Sequence, residues 1–454
     1  MKPSMETVAL IRFGYGFSAL SKSATTSADL LAGLTTPDTI AKTLPIASFA
    51  QREDESREMA VLRRARKLNE DGALEALKAA RQKSVYSHLE EMRTAFVRPM
   101  LSPDGFRERL FRFWSDHFTV AGRDKGLRFI ISAYGDEAIR PHIAGNFRDL
   151  LRAAVTHPAM LIYLDQVLSI GPNSAAGKRT GRGLNENLAR EVLELHTLGV
   201  GSSYRQQDVR QFAELLTGLM YDFKNGFRFR HNAAEPGAEV VLGQSYSGET
   251  AAIDDIYQAL DDLALHPETA THIAKKLAVH FVSDDPDPGL VTAIASAYRD
   301  SQGDLMASYQ AMLAHPSAWL GFGAKAKQPF DFMVSSLRAF GTTKAQMTDL
   351  KIGELRRYLA APMEVMGQPW QRAPGPDGWP ETLDDWITPQ GLAARVQWAL
   401  IATDRLATET DPAAFAGAAL KEVADDGFRR AVGFSESRLE GMALVLASPQ
   451  FNRR

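Results

Sequence analysis

Residues 102–118 read SPDGFRERLFRFWSDHF, and this stretch decides how the rest of the chain is interpreted. Ser102 is a residue type that caps helices, and Pro103 suits a first helical turn. Apolar side chains and one histidine then recur at helical spacing, at Phe106, Leu110, Phe113, Trp114 and His117. The pattern predicts an amphipathic helix that buries this stripe, with His117 on its buried side.

Most other segments show the same helical spacing, broken by helix start and stop signals. The exception is 227–231, FRFRH, where apolar and basic residues alternate as in a strand. The β-branched stretch 239–242 would supply its partner strand. The sequence therefore predicts a mostly α fold, a multi-helix array with one small β-hairpin insertion.

The chain of 454 residues is long enough for two or three domains of roughly 100 to 200 residues each. Because helical signals continue throughout, we expect a single helical unit over 1–454. It can be divided into an N-terminal helical lobe (1–225), the hairpin (226–251) and a C-terminal helical lobe (252–454).

Composition excludes several classes of function. With 52 basic and 55 acidic side chains the net charge is −3, which gives no reason to expect a nucleic-acid partner. The absence of cysteine excludes disulfides and thiolate ligands, so any metal must use His, Asp or Glu. No apolar run approaches the roughly 20 residues of a membrane span, and no signal peptide is seen. We expect a cytoplasmic protein, with the periplasm left open.

Two local patterns predict connections between helices. His-Pro pairs at 157–158, 266–267 and 315–316 are typical of a helix end, where the histidine favours the dipole and the proline opens the next helix. The segment 171–183, GPNSAAGKRTGRG, predicts a basic, glycine-rich linker, mobile rather than packed. It does not match a phosphate-binding loop.

A second informative helix is predicted over 185–198, NENLAREVLELHTL, ending before Gly199. Its apolar residues share one face with His196, while carboxylates lie beside them. Together with the 102–118 helix it predicts a polar site in the helical core. The candidate catalytic residues are His117, Arg190, Glu191, Glu194 and His196, accompanied by Asp116 and Asn187.

This cluster allows two interpretations. Imidazole and carboxylate groups without sulfur would suit a divalent metal such as zinc, iron or manganese, or act as base and acid. However, HExxH is absent, and no E-x-x-H pair joins the cluster. The alternative is that His117 and His196 are buried histidines satisfied by hydrogen bonds, with Arg190 pairing neighbouring glutamates.

The stretch 366–390, MGQPWQRAPGPDGWPETLDDWITPQ, predicts an irregular packed loop. It holds Trp370, Trp379 and Trp386, half of the six tryptophans. These are candidate ligand-binding residues, because aromatic planes bind ligand faces. They would equally serve as apolar anchors of the loop.

The chain resembles the bacterial domain-of-unknown-function family 1800 over nearly its whole length. The matching pieces, in chain order, are RFGYG (12–16), FWSDHF (113–118), NENLAREVLELHTLGV (185–200), DVRQFAELLTGL (208–219), LGQ (242–244), HPETATHIAKKLAVHFVSDDP (266–286), GDL (303–305), KQPFDFMVSSLRAFG (327–341), MGQPW (366–370), PGPDGWP (374–380) and LASPQFNRR (446–454).

The resemblance implies a largely helical bacterial protein and carries no reaction or cofactor. Relatives are often encoded beside proteins of domain-of-unknown-function family 1501, which resemble the alkaline-phosphatase fold, so a member of that family is an expected partner. In the hairpin, His231 is followed by Asn232 where the family usually has His-Asp, which puts a carboxylate role there in doubt. Many relatives also look exported.

Two functional hypotheses follow. One is a ligand-handling helical protein with a hydrolytic or metal-assisted site in the helical core, because a buried polar cluster is costly unless it is used or fully paired. The other is a non-catalytic binding or assembly partner of another protein or a polysaccharide, which would present an exposed aromatic patch. The two differ in whether His117 and His196 are accessible to solvent.

Overall fold

The computed structural model describes residues 3–20, 24–122, 127–248, 250–407 and 409–454, and most of them are helical. The mostly α prediction is confirmed. The longer helices are Ser27–Thr35, Phe49–Lys67, Ala73–Leu101, Gly105–His117, Phe147–Thr156, Gln206–Leu215, Ile253–Leu265, Pro267–Phe281, Pro288–Asp300, Leu305–Ala314, Pro329–Phe340, Pro389–Leu406, Pro412–Leu420, Asp426–Gly433 and Arg438–Ala447.

Shorter elements connect these helices. The short α-helices are Met5–Val8, Thr39–Thr43, Ile131–Tyr134, Pro158–Tyr163, Ala175–Thr180, Asn187–Glu191, Lys344–Thr348, Ile352–Leu355, Ala361–Val365, Leu383–Trp386 and Pro449–Asn452. Wider π-helical turns, which often mark functional or strained positions, occur at Ala9–Phe13, Gly135–Ile139, Val192–His196 and Arg356–Ala360.

The strands form two small antiparallel sheets rather than one hairpin. Strand Gly226–Phe229 pairs with Leu219–Asp222, and strand Glu239–Val241 pairs with Gln244–Tyr246. The predicted pairing of 227–231 with 239–242 is therefore wrong. Each strand pairs instead with its nearest neighbour, across turns that place Gly226, Leu242 and Gly243 at positive φ. Tight local turns close a hairpin at lower entropic cost than the longer connection.

Two hydrophobic clusters form the interior. The first extends from Ala9 to Ala318 and contains Phe106, Trp114 and Phe281. The second contains part of helix Ala73–Leu101 together with residues from Phe330 to Phe451. Helix Gly105–His117 belongs to the first cluster, and helix Pro329–Phe340 belongs to the second. The division into lobes at 226–251 stays a prediction.

Helix Gly105–His117 forms as the 102–118 pattern predicts, but it begins later. Asp104 is its N-cap and accepts the backbone N–H of Arg107 at 3.0 Å. Ser102 instead ends the preceding helix Ala73–Leu101. A carboxylate cap also favours the positive end of the helix dipole. The predicted apolar stripe, including His117 at 2% exposure, is buried.

The three His-Pro pairs have a role that differs in detail from the predicted one. His157, His266 and His315 are N-caps of the helices that follow, rather than last-turn residues of the helices before. Each imidazole Nδ1 accepts the backbone N–H two residues ahead, at 3.1, 3.3 and 3.3 Å. The proline lies at N1, where its missing N–H costs nothing.

The segment 171–183, predicted as a linker, is not irregular throughout, and its first half contacts neighbouring residues while 178–183 are exposed. It contains helix Ala175–Thr180, capped by Ser174, whose hydroxyl accepts the N–H of Gly177 at 3.0 Å. Asn173 N–H donates to Glu235 at 2.9 Å. Small residues allow this tight approach, since a Cβ at Gly177 would lie 2.2 Å from the carbonyl oxygen of Gly171.

Candidate functional site

The structure brings His117 and His196 together but seals both from solvent. Their ring centroids lie 5.9 Å apart, and the side chains are 2% and 1% exposed. His117 Nε2–H donates to the backbone carbonyl oxygen of His196 at 3.1 Å. His272 Nε2–H donates to the carbonyl oxygen of Leu195 at 3.0 Å. The last carbonyls of a helix have no intrahelical partner, so these two imidazoles terminate the turn Val192–His196.

These histidines are neutral at physiological pH. Burial, with a smaller effect of Lys276, lowers the pKa of His196 to about 3 and that of His117 well below its usual range. The backbone hydrogen bond of His117 agrees with the structural interpretation, whereas Nδ1 of His117 and Nδ1 of His196 are buried without a partner among the described residues.

The remaining members of the predicted cluster lie outside the sealed pair. Arg190 is 38% exposed and pairs with Glu186 at 3.2 Å and Glu194 at 3.3 Å. Glu191 is half-buried, and burial followed by the charges of Glu194 and Asp377 raises its pKa. Asn187 is exposed. Arg190 and the glutamates thus form a helix-surface ion-pair group.

The metal hypothesis has no ligand set in the part of the chain that the structure describes. No group of three His, Asp or Glu side chains there is arranged to hold a metal ion. Of the two histidines that the sequence singled out, His117 uses its Nε2 on a backbone carbonyl oxygen.

The opposite face of helix Gly105–His117 opens onto a cavity, which we call the central cavity. Arg109, Arg112, Ser115 and Asp116 line it from this helix. Across the cavity lie residues from the start of helix Pro329–Phe340 and from the 366–390 loop, namely Gln328, Phe330, Asp331, Trp370, Gln371, Ala373 and Trp379. Its volume of about 110 Å³ approaches the ~150 Å³ cavity that accommodates benzene in another protein, so it suits a small molecule.

One wall of the central cavity is a chain of paired charges. Arg109 forms an ion pair with Asp331, and its Nη2 donates to His280 Nε2 at 3.2 Å. His280 Nδ1–H donates to Glu381 Oε1 at 2.5 Å. Burial lowers the pKa of His280, although Glu381 opposes this. Because the Arg109 guanidinium can only donate, Nε2 of His280 is the acceptor and Nδ1 carries the proton.

Asp116 is the titratable carboxyl group of the cavity wall. It accepts the backbone N–H of Trp379, at 3.0 Å on one oxygen and 3.2 Å on the other. Burial and then the charge of Glu381 raise the pKa of Asp116 to about 7, while Lys276 and the Trp379 N–H oppose the rise. Such a carboxyl group donates or accepts a proton near neutral pH.

Arg112 has a different environment from Arg109. Its guanidinium carbon lies 4.1 Å from the ring centroid of Phe330 and 5.6 Å from that of Trp370. Among the described residues, no carboxylate lies within ion-pair distance of it. Buried polar atoms without a described partner also belong to residues of the cavity wall: Ser115 Oγ, Trp370 Nε1 and Gln371 Oε1.

The family described as "Protein of unknown function (DUF1800)" matches residues 8–453. The chain belongs to this family. Comparison with curated proteins and with solved structures found no match. Among the described residues of this DUF1800 protein, no helix is long and apolar enough to cross a bilayer.

The three tryptophans of the DUF1800 chain have separate positions. Trp370 and Trp379 are half-buried and line the central cavity. Trp386 is 4% exposed, and its ring contacts that of Trp379 in a tilted arrangement, with centroids 6.1 Å apart. It donates its Nε1–H to the carbonyl oxygen of Pro380 at 2.8 Å. The exposed aromatic patch expected for an assembly protein is therefore not formed by these residues.

Beyond the charged wall, this DUF1800 protein has an open groove of about 710 Å³. Its lining includes Leu195, Val200, His272, Lys276 and Glu381. Glu381 therefore faces the groove while its hydrogen-bond partner His280 faces the central cavity.

Sequence reasoning did not select Arg109, Arg112, Ser115, His280 or Asp331. A signal was present in the same 102–118 stretch, since Arg109, Arg112 and Asp116 recur at i, i+3 and i+7 opposite the apolar stripe. A polar stripe ordinarily predicts a solvated face. Here the second cluster of the fold covers it.

Proposed function

We propose that this DUF1800 protein binds a small organic molecule in the central cavity and uses Asp116 as an acid–base group on it. The observation that carries the proposal is Asp116 itself, a carboxyl group on the cavity wall with a pKa of about 7. The reaction class that suits such a group is proton transfer, including hydrolysis. No metal is required for it.

The rest of the wall supports this chemistry. The Trp379 N–H and the glycine before it fix the Asp116 carboxylate in one orientation. The paired Arg109 and Asp331 add no net charge. Trp370 and Phe330 supply apolar surface, so a bound ligand would be largely shielded from water, which strengthens electrostatic interactions.

Filling the cavity tests whether it is a binding site. Ala95 lines it from helix Ala73–Leu101, and Ala95→Leu adds volume without disturbing the helix. The matched control is Ala393→Leu, at an exposed position of helix Pro389–Leu406. Saturation-transfer NMR with acetone, propionamide and propionate, and ³¹P line broadening with inorganic phosphate, should show binding to wild type and control, and loss of binding in Ala95→Leu. Equal binding to all three proteins would contradict the proposal.

The role of Asp116 needs a second measurement. Asp116→Asn keeps an oxygen acceptor for the Trp379 N–H but cannot exchange a proton. For ligands that bind, we expect C–H exchange with solvent deuterium, or hydrolysis of the corresponding methyl ester, to fall by about 10²- to 10⁴-fold. An unchanged rate with unchanged ligand affinity would remove Asp116 from the chemistry.

We propose the groove as the position for the second functional class, docking of a partner protein such as a member of family 1501. The supporting observation is Val200, which is 75% exposed at the groove. Co-purification with a co-expressed family 1501 protein should be lost in Val200→Asp and retained in Val365→Asp, where the valine is 63% exposed elsewhere. Retention in both variants, or in neither, would argue against groove docking. The compartment stays a prediction.

A further inference from the structure

We propose that the central cavity selects a small oxyanion, either a carboxylate or a phosphate, and that Arg112 is the residue that recognises it. This inference rests on the proposed function, namely that the cavity binds a small molecule. It adds the chemical class of the ligand and a proton that is taken up with it.

The first argument is that Arg112 packs over aromatic rings but has no ion-pair partner among the described residues. Its guanidinium carbon lies over the rings of Phe330 and Trp370, which restricts the position of the group. Stacking leaves the in-plane N–H donors free, and these donors match the oxygens of carboxylate or phosphate. Arg109, one helical turn earlier, already has Asp331 and His280 as partners.

The second argument is that other donors at the cavity also lack acceptors. Ser115 Oγ and Trp370 Nε1 are buried and have no partner among the described residues. Buried donors are rarely left unsatisfied, so these two donors, on opposite sides of the cavity, indicate a ligand that carries acceptor atoms. A cavity of about 110 Å³ limits that ligand to the size of a short carboxylic acid or a phosphate ion.

The third argument concerns charge balance. Asp116 faces Arg112 on its own helix, Lys276 and His280 on helix Pro267–Phe281, and Glu381 on the 366–390 loop. An anion beside Arg112 would repel an ionised Asp116, and protonation of Asp116 removes this repulsion. Because the pKa of Asp116 is about 7, proton uptake near neutral pH is inexpensive. Anion affinity should therefore decrease as the pH rises above 7.

The test compares propionate with its neutral isostere propionamide by isothermal titration calorimetry, with inorganic phosphate as a third probe. Propionate or phosphate should bind wild type more tightly than propionamide does, and Arg112→Gln should weaken anion binding by about ten- to a hundredfold. Arg112→Lys should retain part of the affinity. Arg357→Gln, at an exposed arginine over Tyr358, is the matched control and should bind as wild type does. Circular dichroism and Tm confirm that each variant is folded.

Repeating the propionate titration near pH 7 in two buffers of different ionisation enthalpy measures the proton, because propionate, unlike phosphate, does not titrate at this pH. Wild type should take up a fraction of one proton per bound anion, and Asp116→Asn should take up none. The stronger of propionate and phosphate identifies the ligand as carboxylate or phosphate. Equal binding of propionamide and propionate, or unchanged anion affinity in Arg112→Gln, would overturn the inference while leaving the cavity a binding site. No binding of any probe would overturn the proposed function as well.

Discussion

His280 and Glu381 share a hydrogen bond of 2.5 Å across 101 residues of sequence, and this bond forms the wall between the groove and the central cavity. Because Nδ1–H of His280 donates to the carboxylate, Nε2 is the acceptor that receives the Arg109 guanidinium. The guanidinium in turn pairs with Asp331. Glu381, which faces the groove, therefore fixes the tautomer of His280 and the position of Arg109 at the central cavity.

Removing the charge of Glu381 should destabilise the fold. Lys325, whose side chain is 1% exposed, depends on Glu381 and Asp284, so Glu381→Gln leaves a buried ammonium group with a single carboxylate partner. We expect a loss of about 2–4 kcal/mol in the free energy of unfolding, measured with urea. The control is Glu364→Gln, whose pair with Arg372 has side chains 62% and 51% exposed, and its cost should be below about 1 kcal/mol. Equal losses in the two variants would show that the charge of Glu381 stabilises the fold no more than an exposed ion pair does.

Glu381→Gln should also change how the free energy of unfolding depends on pH. Burial alone would raise the pKa of Glu381, but His280 and then Lys325 outweigh it and hold the pKa at about 2. The unfolded state binds the proton more readily, so this stabilisation is present above about pH 4.3 and is lost as the pH falls toward 2. Wild type should lose more stability than Glu381→Gln over this interval. Parallel urea curves for the two proteins would contradict the assignment.

Asp116 should make the free energy of unfolding decrease with rising pH, which is opposite to the effect of Glu381 and occurs at higher pH. Its pKa rises from 3.8 to about 7 on folding, so the folded state holds a proton that the unfolded state has released. The stabilisation from this proton is complete below about pH 4 and is lost as the pH rises through 7. Asp116→Asn should therefore flatten the decline of unfolding free energy between about pH 5 and about pH 8. An unchanged profile would show that Asp116 titrates in its ordinary range.

The His-Pro caps can be tested at His266, which begins helix Pro267–Phe281 and so positions His280. His266→Ala removes the acceptor for the Glu268 N–H and should cost about 1 kcal/mol. His266→Asn supplies a preferred capping side chain and should restore most of that loss. Thermal and urea unfolding of the two variants give the comparison, and similar losses in both would mean that the imidazole acts by packing rather than by capping.

The sequence predicted the local elements better than the contacts between distant ones. The 102–118 pattern identified a helix and its buried stripe, and the structure places His117 of that stripe near His196. Because histidine is unusual on a buried stripe, the candidate site was predicted on the buried face of this helix. The cavity lies on the other face, and its second wall comes from Phe330 and Trp370, more than 200 residues further along the chain. Helical periodicity carries no information about which distant element covers a polar stripe.

The strand pairings show the same limit. Alternation in 227–231 indicated a strand, but Leu219 and Tyr221 of its true partner follow a helix and contribute only two buried positions. So short a strand has no period that distinguishes it from a helix end. The loop 366–390 was likewise predicted as irregular, and its contact with Asp116 depends on one backbone N–H that no side-chain pattern reveals.

That contact leads to a prediction at Gly378, which has φ of +85° and lies directly against Asp116. A Cβ at this position would lie 2.8 Å from the Asp116 carboxyl carbon, whereas a Cβ at Gly367, with φ of +94°, would meet nothing within 4 Å. Gly367→Ala should therefore cost only the left-handed backbone penalty, about 1–2 kcal/mol. Gly378→Ala should cost roughly 1–3 kcal/mol more, because Asp116 or the loop must move.

If the Trp379 N–H is displaced, Asp116 loses a hydrogen bond that favours its charged form, and its pKa should rise further. Urea unfolding of both variants, with the carboxyl titration of Asp116 followed by ¹³C NMR, measures the two effects. Equal unfolding costs and an unchanged titration would show that the loop does not orient the carboxylate.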